Sequence, residues 1–222
     1  MLVSAIIVAA GKGARLKSRT PKAFVKLGGR MLVEYSLRAY QSSHKVGEIV
    51  LVIPERHVPD LSSLFAAYPK LRVIIPGGAE RADSVRAGLS ACSQRASIIL
   101  IHDAARPLIS VCDIDRVIVA AKRHGAAILA APVTDTIKLV KGWAIARTVN
   151  RTGLWQAQTP QAFSRELLFQ AHGRKPAKRA TDDSMLAERL GAKVRVVPAT
   201  GDNLKVTTSH DLEIAAWLLK RK

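Results

Sequence analysis

The stretch VAAGKGARLKSRTPKAF, residues 8–24, sets Gly11 and Gly13 ahead of Arg15, with Lys22 seven residues further on and directly behind Pro21. Glycines let backbone N–H groups approach an anion closely, while arginine and lysine supply mobile charge for phosphate oxygens. The proline fixes the chain direction just before Lys22. The chemistry such a loop offers is phosphate cradling, though by neither of the two common glycine patterns. A P-loop needs Gly-x4-Gly-Lys-Ser/Thr, and here Ala14 and Arg15 follow Gly-Lys-Gly; a dinucleotide loop needs a third glycine where Leu16 stands. Neither a Walker ATPase nor a Rossmann dehydrogenase is supported.

Charge points to the same place. The chain carries a formal net charge of +18 over 222 residues, and residues 1–30 hold seven Lys or Arg (12, 15, 17, 19, 22, 26, 30) and no acid. A positive field of this size attracts nucleic acid or membrane surface and also steers small polyanions. Aromatics are only 5%, without the basic and aromatic interleaving that stacks single-stranded bases, so no specific nucleic acid is expected as a partner. The basic run GRKPAKRA, 173–180, reads as a solvated loop.

The elements that must position these residues are short apolar runs alternating with helical patterns. Strands are expected over 4–10, 48–54, 72–77, 97–103, 126–133 and 194–199, each apolar nearly throughout. Strands of that kind have helices on both faces, as in a doubly wound, mostly parallel α/β sheet. Such sheets bind ligands beyond the carboxyl ends of their strands, which singles out the opening loop, GGAERADSV after the third run and HDAARP after the fourth. Residues 132–160 break the rhythm with alternating apolar positions and a Lys-Gly turn at 141–142, which predicts a hairpin. It reads either as a β-arm, about 132–155, contacting a second subunit or as an edge hairpin on its own sheet.

Other functions lack the residues they require. The six histidines form no His-Glu-x-x-His pattern, and Cys92 and Cys112 have no metal-ligand spacing and read as buried thiols of a reducing, cytoplasmic compartment. No apolar run reaches the ~18 residues of a membrane span, and MLVSAIIVAAG lacks the basic start of a signal peptide. The composition suits one globular domain over 1–222, and the end at HDLEIAAWLLKRK leaves no room for another.

Taken in order, AAGKGARLKSRTPKAF, GGAERADSV, IHDAARPL, DTIK, NRTGLWQAQTPQAF, TDDS and DNLKVT resemble the 2-C-methyl-D-erythritol 4-phosphate cytidylyltransferase family of non-mevalonate isoprenoid synthesis over nearly the whole chain. The resemblance implies a nucleotidyltransferase fold, Mg2+-dependent transfer of CMP from CTP to methylerythritol phosphate, and a homodimer that exchanges its β-arms. It also implies that Arg15 and Lys22 stabilise the transition state and that backbone at Ala10, Gly11 and Gly13 holds the triphosphate. Gly78, Ala79 and Ser84 would recognise cytosine and ribose, although Ser84 also reads as a polar residue early in a helix. Thr136 and Arg151 would come from the partner's arm and Thr159 and Lys205 from the home subunit, with Arg151 and Lys205 orienting methylerythritol phosphate. Leu16, Lys17 and Ala23 depart from the family's pattern without removing a charged position.

Asp103, at a strand's carboxyl end, is the first metal candidate, since Mg2+ is often held by one or two carboxylates plus substrate phosphates; Asp202 is the second. Arg106 suits bidentate contact with the incoming phosphate or polyol. His102 reads as a packing residue, and TDDSMLAERLG as a helix start capped by Thr181 or Asp182. A ribitol 5-phosphate cytidylyltransferase is the nearest alternative.

Overall fold

Runs apolar along their whole length form strands covered on both faces. A computed structural model describes residues 2–11, 20–58, 61, 63–173 and 180–221. In chain order the elements begin with β1 (Leu2–Val8), β2 (Lys26–Leu27), β3 (Arg30–Met31), α1 (Leu32–Ser42), β4 (Glu48–Ile53), α2 (Leu64–Ala67) and β5 (Leu71–Pro76). There follow α3 (Arg81–Ala91), β6 (Ala96–Asp103), α4 (Val111–His124), β7 (Ala126–Pro132), β8 (Ile137–Lys141) and β9 (Ala144–Val149). The last are β10 (Trp155–Ser164), α5 (Arg165–Gly173), α6 (Asp183–Glu188), β11 (Arg195–Pro198) and α7 (Ser209–Leu219). The six expected strands are all present, with ends displaced by at most two residues.

Seven strands form one sheet in the order β11-β7-β10-β6-β1-β4-β5, parallel except for β10, which runs antiparallel to both of its neighbours. Side chains alternate between its faces as the two-residue strand period requires. Ala5 and Ile7 of β1, Ile49 and Leu51 of β4 and Leu100 of β6 pack with Val33 and Leu37 of α1 and Val117 of α4. Ile6, Val50, Ile99 and Ile101 pack on the other face with Val85 of α3 and Leu168 of α5. Each fully buried aliphatic side chain contributes about 1.5–3 kcal/mol. The α3 face comes so close to β1 that a Cβ at Gly88 would lie 2.5 Å from Ile6 Cγ2.

Strand β10 is the element the sequence reading did not anticipate. WQAQTPQAFS is polar by composition, yet its second half is buried between β6 and β7. Gln161 is 1% exposed because its amide is used fully. Its Oε1 accepts from the backbone N–H of Asp183 and Ser184, and its Nε2 donates to Asp182 Oδ2 at 2.8 Å. Residues 132–160 are therefore half hairpin, half central strand.

The hairpin is the pair β8–β9, turning at Gly142 with φ +60°, and neither strand joins the large sheet. Its base is closed by Val133 N–H donating to Leu154 O at 3.0 Å. Leu139, Val140, Trp143 and Ile145 are exposed on it. An isolated two-stranded ribbon is marginal in water, so this much apolar surface needs a cover.

Cys92 is buried, but Cys112 is exposed, contrary to the sequence expectation. Cys112 is the second residue of α4, and the buried stripe of that helix starts at Asp113 and Ile114. Burial pushes the Cys92 thiol up to about 12. Among the described residues no helix is long and apolar enough to cross a membrane. Residues 174–179 of the basic run lie outside the described residues.

Helix α7 is tied to the segment that precedes it by a capping box. Asp211 Oδ2 accepts from Thr207 Oγ1 at 2.6 Å and from the N–H groups of Thr207 and Thr208, each at 2.8 Å. The Thr207 hydroxyl above all, together with these N–H groups, holds the Asp211 carboxyl down at about 2 against the opposing effect of burial. A carboxyl depressed on folding stabilises the fold above its unfolded pKa, about 3.9, and that contribution fades as the pH falls towards 2. Asp211→Ala is expected to cost about 1 kcal/mol in urea denaturation at pH 7, with the gap to wild type closing below about pH 4. A gap independent of pH would contradict this account.

Candidate active site

The strand order reverses between β1 and β6: β4 and β5 follow β1 on one side, while β6 lies on the other. Ligands bind at such a switch point, outside the carboxyl ends of the strands. Val8 and Asp103, the last residues of β1 and β6, stand opposite each other in register. The next residues continue the ladder, with Ala9 N–H donating to Val52 O at 2.7 Å and Ala104 N–H to Val8 O at 3.0 Å. Above them opens a cavity of about 320 Å³. One wall is backbone with small side chains: Ala9, Ala10, Gly11, Gly78, Ala79, Ala104 and Ala105. The charged lining is Lys22, Glu80, Arg81, Asp103 and Lys205.

Local sequence explains the wall. Gly77 and Gly78 are required by space, since a Cβ at Gly77 would sit 2.3 Å from the Ala10 Cβ and one at Gly78 would sit 2.3 Å from the Asp83 Cβ. Ser84 Oγ accepts from Gly78 N–H at 3.2 Å and donates to Glu80 O at 3.2 Å, so it fastens this loop to the first turn of α3 while facing the cavity. Both readings of Ser84 are thus compatible with its position. Lys22 opens a short 3₁₀ turn, Lys22–Phe24, whose preceding residue, Pro21, has φ −53°.

Asp103 is the electrostatic centre. Its Oδ1 accepts from Arg81 Nε at 3.1 Å and its Oδ2 from Lys205 Nζ at 2.5 Å. Burial alone would raise this carboxyl, but Arg81 and Lys205 outweigh it and hold the group well below the usual carboxylate range. It is therefore ionised at any pH at which the protein works. Two contacts use about half of the lone-pair positions of a carboxylate, which leaves room for a hard cation. Among the described residues no group of three or more His, Cys, Asp or Glu could hold a metal. A divalent ion at Asp103 would draw its remaining ligands from phosphate oxygens and water, the arrangement typical of Mg2+. Asp202 is exposed and is not among the residues lining the cavity.

The structure brings together Ala10, Gly11, Lys22, Gly78, Ala79, Ser84, Asp103 and Lys205. Gly13 and Arg15 lie outside the described residues. Two other candidates stand behind the cavity rather than in its lining. Thr159, 5% exposed, accepts the N–H of Asp103 at 3.0 Å on Oγ1 and shares a hydrogen bond of 3.1 Å with His102 Nδ1. Arg106 donates from Nη1 to Asn203 O at 2.7 Å, which together with Val206 N–H on Ala105 O at 2.8 Å anchors the Lys205 segment. His102 is fully buried, and burial pushes its imidazole down to about 3, so it is neutral and matches a packing role. Thr136 and Arg151 are exposed on the arm, where the Arg151 guanidinium donates to Thr134 O. Asp182 caps α6 by accepting from Met185 N–H at 3.0 Å, as expected of one of the two named residues.

Arg81 lines the cavity and was missed. The available sign was its place at the start of a helix, three residues after the glycine pair, where its side chain returns towards the strand ends.

Comparison with known proteins agrees with this geometry. The family model for 2-C-methyl-D-erythritol 4-phosphate cytidylyltransferase matches residues 3–221. A protein of that name from Shouchella clausii is 41% identical over 226 residues, covering 100% of this chain and 98% of its own. A crystal structure of 4-diphosphocytidyl-2C-methyl-D-erythritol synthase from Anaerococcus prevotii superposes with TM-score 0.87 at 30% identity, covering 99% of both chains. That of the cytidylyltransferase from Thermus thermophilus superposes with TM-score 0.83 at 35% identity, covering 99% of this chain and 100% of the other. The chain therefore belongs to the 2-C-methyl-D-erythritol 4-phosphate cytidylyltransferase family.

Proposed function

We propose that this cavity is where CMP passes from CTP to 2-C-methyl-D-erythritol 4-phosphate, giving 4-diphosphocytidyl-2-C-methyl-D-erythritol and pyrophosphate. The observation that carries this assignment is Asp103, ionised between Arg81 and Lys205 at the end of β6 and facing Lys22 and the glycine backbone. The nucleophile is a phosphate monoester oxygen, already ionised at neutral pH. No general base is needed, in keeping with the neutral, buried His102. An oxygen–phosphorus bond forms at the α-phosphorus of CTP while the bond to the bridging oxygen of the leaving pyrophosphate breaks.

The barrier is electrostatic, because an anion approaches a triphosphate and charge gathers on the α-phosphoryl and leaving oxygens. Lys22 and Arg15 meet that charge, and backbone at Ala10, Gly11 and Gly13 holds the triphosphate. Gly78, Ala79 and Ser84 receive the cytosine and ribose. Asp103 would hold Mg2+, which when bound neutralises phosphate charge and orients the oxygens. Lys205 and Arg151 orient the methylerythritol phosphate, a proximity effect rather than acid or base catalysis. Arg106 and Thr159 support the polyol end by holding the Lys205 segment and Asp103.

Arg151 and Thr136 act from the partner's arm in a homodimer. Support comes from a hairpin that, among the described residues, pairs only with itself and exposes Leu139, Val140, Trp143 and Ile145. The unpaired thiols Cys92 and Cys112 suit a cytoplasmic enzyme.

Ribitol 5-phosphate is not favoured as substrate, the Shouchella clausii relative and the Thermus thermophilus structure both being named for methylerythritol phosphate. Pyrophosphate release from CTP and Mg2+ should be seen with methylerythritol phosphate. Release with ribitol 5-phosphate alone would overturn the assignment.

A further inference from the structure

The contacts of Asp103 continue into the core through three residues that no assigned role covers, Arg81, Asp183 and His172. Arg81, first residue of α3, spans two carboxylates: Nε donates to Asp103 Oδ1 at 3.1 Å and Nη1 to Asp183 Oδ2 at 2.8 Å. Asp183 is 1% exposed, and its Oδ1 meets His172 Nε2 at 3.0 Å. Since a carboxylate can only accept, that nitrogen carries the proton and donates. The backbone at Asp183 is fixed as well, by its N–H on Gln161 Oε1 at 3.2 Å. His172, Asp183, Arg81, Asp103 and Lys205 thus form one continuous chain from the interior to the cavity.

The geometry has a chemical consequence. An arginine that met Asp103 alone could lay its planar fork across both oxygens of that carboxylate. Asp183 holds Nη1 away, so Arg81 gives Asp103 a single N–H on one oxygen. The other oxygen faces Lys205, whose side chain is partly exposed.

We infer that Asp183, braced by His172, is a positioning residue for nucleotidyl transfer: it holds Arg81 in the orientation that steadies the Asp103 carboxylate without covering it. The inference rests on the assignment of the cavity given above. It is tested with Asp183→Asn, which keeps the side-chain shape and loses the charge, with Arg81→Gln and with the double variant.

Asp183→Asn should lower kcat roughly 10–100-fold, the range for residues that orient a ligating group, with KM for methylerythritol phosphate within about threefold of wild type. Mn2+ binding in the presence of CTP, read by electron paramagnetic resonance without turnover, should weaken about tenfold. In the Arg81→Gln background the same substitution should add less than about twofold, because the two residues act as one unit. A factor as large in that background as in wild type, or unchanged kcat and Mn2+ binding in Asp183→Asn, would overturn the inference.

If Asp183→Asn does not fold, Arg81→Lys serves instead, since a compact ammonium cannot span both carboxylates. Full activity and full Mn2+ binding in that variant would overturn the inference equally. A wild-type protein that releases no pyrophosphate from CTP with methylerythritol phosphate would sink the functional assignment, whereas the Mn2+ readout judges Asp183 independently.

Discussion

Asp103→Asn is expected to lower kcat on the order of 10³-fold while the protein stays folded. Three functions leave with one charge. The hard oxygen donor proposed for Mg2+ is replaced by a neutral amide, the counter-charge that restrains Lys205 is lost, and Arg81 keeps only Asp183. A factor of 10³ is about 4 kcal/mol of transition-state stabilisation, within reach of a metal-centred electrostatic site. Stability should fall by much less. Breaking a fully buried ion pair costs about 3–5 kcal/mol, but Lys205 reaches solvent and Arg81 retains a carboxylate, so about 1–2 kcal/mol is expected. The folded carboxyl lies below its unfolded value, so this contribution is present above about pH 3.9 and is lost as the pH falls further. Urea denaturation at pH 7 beside steady-state kinetics separates the two effects. A kcat within tenfold of wild type would remove Asp103 from the reaction.

Lys22→Ala should cost roughly 10–200-fold in kcat, the equivalent of one charge-assisted contact of about 1.5–3 kcal/mol. The split between constants is what tests its role. Charge that builds only in the transition state lowers kcat and kcat/KM together, whereas a contact made equally to bound CTP raises KM alone. The first pattern is expected for Lys22, with partial recovery in Lys22→Arg because the charge returns on a differently shaped group. Arg15→Ala should behave similarly. An unchanged kcat with a raised KM for CTP would make Lys22 a ground-state binder.

Much of the site was legible because apolar strands announce where they end, and the residues after three such ends supplied most of the cavity lining. Asp103, Lys22 and the Gly78 loop follow from that rule. Strand β10 was illegible for the opposite reason: its Gln161 and Thr159 look like surface but are spent holding α6 and Asp103. Arg106 and Thr159 show a second limit. Residue type and position pointed to Arg106, and the family resemblance to Thr159, but the fold sends their hydrogen bonds to Asn203 and to the Asp103 backbone. Arg81 was hidden because its importance depends on Asp183, about a hundred positions away, and Cys112 because two neighbouring helix positions differ in the face they present.

The small-residue wall of the cavity has a consequence for inhibition. Ala9, Ala10, Gly11, Gly78 and Ala79 present mainly backbone to whatever fills the site. Substitution can remove a side chain but cannot remove a peptide group. Resistance to a compound that hydrogen-bonds this wall would have to come from added bulk; at Gly78 a Cβ would lie 2.3 Å from the Asp83 Cβ, whereas at Gly11 it would meet nothing within 4 Å. At Gly78 the route of escape therefore coincides with damage to the loop that builds the site, and escape by bulk is left to an open position such as Gly11.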